Sequence, residues 1–219
     1  MSFLVAGLAL VIGIVFGFGF GVLAALRRMT WVDRSITGLM TFISVMPSFV
    51  VGIVLVGVFA VGLGWFPSAG YVPADRGFGL WLAHITLPAV ALSFDTVSDV
   101  ARQLRSGLVA AYRENYVTGA LVRGLSPRRI FFGHVLRNGM GPALTVLGLK
   151  FPNLLGGAVV TESIFGMAGF GQFAANSAQR GDVPAVQGVL VVSIVLVVVF
   201  NLLVNIMLTR VTPASARGV

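Results

Sequence analysis

The chain has 219 residues, 57% hydrophobic and 10% charged, with a formal net charge of +8 and a mean hydropathy of +0.98. So little polar material cannot cover the core of a soluble domain of this length, and the composition points to an all-α integral membrane protein. There is no cysteine, which excludes disulfides and thiol chemistry; His84 and His134 have no metal-ligand spacing, and no basic face with interleaved aromatics suggests nucleic acid.

A membrane-crossing helix needs about 20 mainly apolar residues. The first such stretch covers residues 3–26 and carries Gly13, Gly17 and Gly21, a seam of small residues that lets another helix approach closely. Arg27, Arg28 and Arg34 follow it. The second covers 42–63, with Pro47 inside, and the break around Tyr71 holds only Arg76. The third covers 80–100, with Pro88 inside, and its helical pattern runs on past the membrane through 102–112. The fourth covers 141–160, with Pro152 inside, and the break around Phe170 holds only Arg180. The fifth covers 184–208, and Arg210 and Arg217 follow it. Lys and Arg collect on the cytoplasmic side of a bilayer. Every heavily basic break falls on one side, so the C-terminus is expected inside and the N-terminus outside. An outside start with no cleavage site after the first span leads to the expectation that the gene product begins earlier, with one more helix.

The break from 102 to 140 is long, basic and patterned. Val117, Ala120 and Leu121 recur at helical spacing, and Gly124 stands where a helix is capped at its C-terminus. Ser126 before Pro127 has the form of an N-cap with proline in the first turn. Ile130, Phe131, His134 and Val135 give the second short helix an apolar side. Such a helix–turn–helix either lies on headgroups or docks in a partner's groove.

The stretch Tyr116-Val-Thr-Gly-Ala-Leu-Val-Arg-Gly-Leu-Ser-Pro-Arg-Arg-Ile130 resembles the "EAA" loop of inner-membrane permeases of the dipeptide, oligopeptide and nickel class of ABC importers. The family glycine maps to Gly124, and the E-A-A positions fall on Thr118, Gly119 and Ala120, so the glutamate is absent. Where the general pattern has I-x-L-P, this chain has His134-Val-Leu-Arg137. The blocks Gly21–Arg28, Trp31–Arg34, Met46–Phe49, Gly64–Tyr71, Glu162–Gly171 and Gly181–Gly188 resemble the family in the right order, with Met167-Ala168 in place of its usual Trp-Pro. The resemblance implies a single transmembrane domain over 1–219 of the type I importer permease fold, with about five helices and the family's first helix missing. It implies that 102–140 is a coupling loop in which Tyr116, Thr118, Gly119, Ala120, Arg123, Gly124, Ser126, Pro127, Arg128 and Arg129 meet a cytoplasmic ATPase. It also implies a second homologous permease, two ABC ATPases and an extracytoplasmic solute-binding protein as partners, and a bacterial inner membrane as the location.

Other residues are open to two readings. Lys150 is the one lysine and lies within the fourth span, where an ionisable group faces protein or water. It is expected either to pair with Asp95 of the third span or to line the translocation path with it. Asp99 and Glu114 lie near a dense set of arginines and are expected to stabilise the cytoplasmic helices rather than do chemistry. Glu162 and Asp182 border the external face, where a binding protein would dock or solvent would cover them. Asn201 and Asn205 share a helix face and are expected to bond across helices. The chain has no G-x-x-x-x-G-K-[ST] and no nucleophile–base pair, so it is expected to be a transport subunit without cofactor, with hydrolysis on another chain. An ion-coupled secondary transporter is the alternative, since it also uses broken helices and intramembrane charge.

Overall fold

The computed structural model describes residues 1–211, with side chains through 210; Arg217 and the rest of the tail lie outside the described residues. Helices are the regular elements found among them. α1 (Ser2–Leu26), α4 (Phe78–Ala111), α8 (Gly141–Ile164) and α10 (Val183–Val211) are each long and apolar enough to cross a membrane. The expected second span is not one helix. α2 (Trp31–Val45) and α3 (Ser48–Leu55), which runs on as a π-helix over Val56–Gly62, meet at an angle of 100°. Pro47 has no N–H to give, and it holds Met46 extended at φ −81° and ψ 119°. Helicity also starts at Trp31, eleven residues before the hydropathy does, because α2 is amphipathic and carries Asp33 and Arg34 in its first turns.

α4 is the axis of the bundle. Half of its most apolar window is buried, against 11% for α10, and it packs against α1, α2, α3 and α8. The glycine seam of α1 lies on it. A Cβ at Gly13 would stand 2.6 Å from Thr96, one at Gly17 2.8 Å from Val100, and one at Gly21 2.9 Å from the Ala101 carbonyl oxygen. Backbones this close maximise dispersion contact between helices where lipid removes the hydrophobic drive. Pro88 sits inside α4 without ending it, since buried neighbours hold the helix on both sides.

The basic breaks gather at one end of this bundle. Leu26 of α1 lines the same groove as Arg128, Asp33 reaches Arg105, and Arg137 donates to the carbonyl oxygen of Arg210 at 3.1 Å. The opposite end holds the N-terminus, the 63–77 loop and α9 (Phe170–Gln179). There Phe3 meets Phe170 with ring centroids 5.2 Å apart, and Gly70 N–H donates to the Phe165 carbonyl at 2.8 Å.

Candidate functional site: a basic helix–turn–helix and a charged helix face

Beyond Ala111 the chain turns into α5 (Asn115–Val122), then α6 (Pro127–Ile130), a π-helix over Phe131–Val135 and α7 (Leu136–Gly139). The end of α5 is closed by two bonds: Gly124 N–H to the Leu121 carbonyl at 2.9 Å and Leu125 N–H to the Ala120 carbonyl at 3.2 Å. This pairing is a Schellman cap and needs a left-handed residue, supplied by Gly124 at φ +75°. Arg123 adds a bond from Nε to the Gly119 carbonyl at 3.1 Å. Ser126 occupies the N-cap position of α6 with Pro127 next, although its hydroxyl makes no capping bond.

The sequence-predicted residues divide between two sides of this unit. Ala120 is buried with Val117, Ile130, Phe131 and Val135 in a core shared with Leu104 and Leu108 of α4. Tyr116 is half-buried, its ring 6.4 Å from His134, and its hydroxyl is buried without a partner among the described residues. Tyr112, stacked 6.3 Å from Phe131, has its phenol pushed above the ordinary value by burial. Thr118, Gly119, Arg123, Gly124, Ser126, Pro127, Arg128 and Arg129 are exposed. Leu121 and Val122 share that outer side, Val122 with 83% of its surface free. The result is a firmly backed knob with a cationic and apolar tip.

Two devices not found in the sequence brace this end of the bundle, and the first of them fastens the knob. The backbones of α4 and α7 touch at Gly107 and Gly139, where a Cβ on Gly107 would lie 2.1 Å from the Gly139 carbonyl oxygen. Neither glycine belongs to a repeated pattern, so only the tertiary contact reveals them. The second is the pair of Asp33 and Arg105. Asp33, 3% exposed, accepts from Arg105 at 2.5 and 2.7 Å and from the Met29 N–H at 3.0 Å. One carboxylate thereby secures the turn before α2 and ties that helix to α4; the arginine pattern signalled orientation but not this partner.

Higher in the bundle, Lys150 Nζ of α8 lies 2.6 Å from Asp95 Oδ2 and 2.6 Å from Asp99 Oδ2, both on α4. Asp99 also holds Arg102. Lys150 therefore bridges two carboxylates, where the sequence suggested Asp95 alone, and Asp99 reaches across helices as well as along its own.

At the far end, Glu162 does not face outward as expected. It is 5% exposed, with Oε2 accepting the Gln172 N–H at 2.8 Å and Oε1 buried without a partner among the described residues. The start of α9 has free N–H groups and the positive end of its dipole, so the acid is drawn into the corner; Ser2 Oγ takes the Phe170 N–H beside it at 2.6 Å. Asp182 stays exposed and caps α10 through the Ala185 N–H at 3.1 Å. Asn201 bonds within α10, to the Val197 carbonyl at 3.1 Å, rather than across helices, because its side chain packs on Gly148, which offers no polar side chain. Among the described residues no three acidic or histidine side chains stand where they could hold a metal.

Residues 17–217 match the family of binding-protein-dependent transport system inner membrane components. This chain belongs to that family. It is 35% identical to a probable peptide ABC transporter permease of Sinorhizobium fredii, over 94% of this chain and 66% of that protein. It is 34% identical to the oligopeptide transport system permease protein AppB of Bacillus subtilis, over 93% of this chain and 65% of the other. It thus spans just under two thirds of these relatives. Among solved structures, an inward-facing MetNI methionine ABC transporter superposes with a TM-score of 0.75 at 17% identity, covering 97% of this chain and 93% of that one. An amino acid ABC transporter superposes with a TM-score of 0.67, also at 17% identity. These neighbours establish the type I importer permease fold.

Proposed function

We propose that the chain is one permease half of an ATP-driven importer for peptides, set in the bacterial inner membrane with its basic end and C-terminus in the cytoplasm. It pairs with a second, homologous permease, receives solute from an extracytoplasmic binding protein and is driven by two ABC ATPases. The observation that carries this reading is the knob at 115–130: a helix–turn–helix outside the long spans, buried behind and cationic and apolar in front. A segment only lying on headgroups has no need of a rigid backing on α4, whereas one that transmits force does. The clustering of arginines at that end supports its cytoplasmic placement, and the printed names of the relatives support peptides as solute.

Gly124 gives the test. A Cβ there meets nothing within 4 Å, so a substitution acts through backbone conformation alone. Gly124→Val forces a β-branched residue into the left-handed region, whereas Gly124→Asn is tolerated there. In the assembled transporter, Gly124→Val should abolish most peptide uptake and uncouple ATP hydrolysis from substrate, and Gly124→Asn should keep both. Normal coupled uptake by Gly124→Val, in complexes of normal yield, removes the coupling assignment.

A further inference from the structure

Asp95 lies in α4 within the apolar stretch 80–100, about 7 Å short of that stretch's basic end at 1.5 Å per residue. A charged group within such a span is costly where it faces lipid and is normally turned to protein or water. Its side chain nevertheless remains 43% exposed with one oxygen on Lys150, whereas Lys150 is 14% exposed. The face it stands on is polar from there to the basic end: Asp99, Arg102 and Ser106 follow at i+4, i+7 and i+11, and the exposed Asn153 lies one turn from Lys150 on the neighbouring α8. Hydrocarbon does not cover such a stripe.

The charges on this face are unevenly satisfied. Among the described residues Asp99 holds two cations, Lys150 and Arg102, while Asp95 has only its share of Lys150. A carboxylate accepts about four hydrogen bonds and an ammonium donates three. Asp95 is thus the member of the group with room for another cation, and it is also the more open of the two acids.

We propose that the shared face of α4 and α8 is a water-lined wall of the translocation path, and that Asp95 takes the α-ammonium group of a peptide as it passes. Lys150 holds Asp95 in place and stops it from binding the cation so strongly that release is slow. The proposal rests on the permease reading above and adds the chemical group that the path recognises.

The chain contains no cysteine, so single cysteines report directly. In the full transporter, Asn153→Cys leaves the Lys150 cluster intact and should react with a trimethylammonium methanethiosulfonate about tenfold faster than Val191→Cys on the outer face of α10. Trialanine should slow that reaction. Asp95→Asn should raise the KM for trialanine about tenfold, the loss of one charge-assisted contact, with maximal ATP hydrolysis kept. Asp95→Glu should recover most of it. An inert or unprotected Asn153→Cys overturns the proposal even if Asp95→Asn fails to assemble, and so does an unchanged KM in Asp95→Asn. A wild-type complex that hydrolyses ATP yet takes up no peptide overturns the permease reading itself, and the proposal falls with it.

Discussion

At the basic end of the bundle, Arg123, Arg128 and Arg129 are exposed, and the groups that hold the knob in place are apolar side chains and a glycine contact. At the opposite end, Glu162 is turned inward to close the corner between α8 and α9. Those three arginines are displayed at one end, and Glu162 is consumed in structure at the other. An exposed cation near the surface costs little and is available to a partner, whereas a buried carboxylate is held by the N–H groups it satisfies. A charged residue in a sequence therefore means different things at the two ends, and its surroundings decide which.

The largest effect is expected where the knob is fastened. Gly107→Val drives side-chain carbons into the Gly139 carbonyl, and relief requires the backbones of α4 and α7 to separate. The expected cost is about 3 kcal/mol, seen as a large fall in the thermal midpoint of the purified protein and as new tryptic cleavage among the arginines of 113–137. Unchanged cleavage there means that the glycine contact does not hold the knob. Next comes the buried pair. Asp33→Asn leaves Arg105 without its partner and should cost about 2 kcal/mol, a value below that of a fully buried pair because Arg105 is partly solvated. Adding Arg105→Gln should restore part of the loss, and a double-mutant cycle with no coupling refutes the tie.

Glu162→Gln tests the other end at about 1–2 kcal/mol, since the charge facing the positive end of α9 is lost while an amide oxygen still accepts the Gln172 N–H. Protease sensitivity should rise at 166–169 while the 113–137 region stays as protected as before. The comparison breaks if this variant keeps full stability and loses only an external partner, because the acid is then displayed after all. The smallest effect on stability belongs to Arg129→Ala, within about 0.5 kcal/mol. Its consequence is expected in uptake alone, measured in whole cells against equal amounts of protein.

The long spans and the knob are legible in the sequence for the same reason: both are written in local patterns. Twenty apolar residues, a small-residue seam, and glycine and proline at fixed offsets from helical repeats depend on near neighbours. The α1–α4 seam at Gly13, Gly17 and Gly21 and the left-handed turn at Gly124 are of this kind. What was not legible depends on residues distant in the chain. Asp33 and Arg105 are 72 positions apart, Gly107 and Gly139 touch only because α7 folds back, and Glu162 is buried by a corner that forms after it. The break at Pro47 lies between these cases. The proline was visible, but a hydropathy scan merges two helices whose meeting angle it cannot register, and it passes over an amphipathic α2 whose apolar face is only half of its surface.

The central claim is that the tip of the knob meets an ATPase. Val122, exposed and outside the long spans, can be replaced by cysteine without disturbing the buried side of α5. Carrying a photoreactive probe in the intact membrane, Val122→Cys should cross-link to an ATPase subunit, and the same probe at Val191 on the outer face of α10 should not. Cross-linking at Val122 that yields lipid adducts alone, in membranes where peptide uptake is active, contradicts the account.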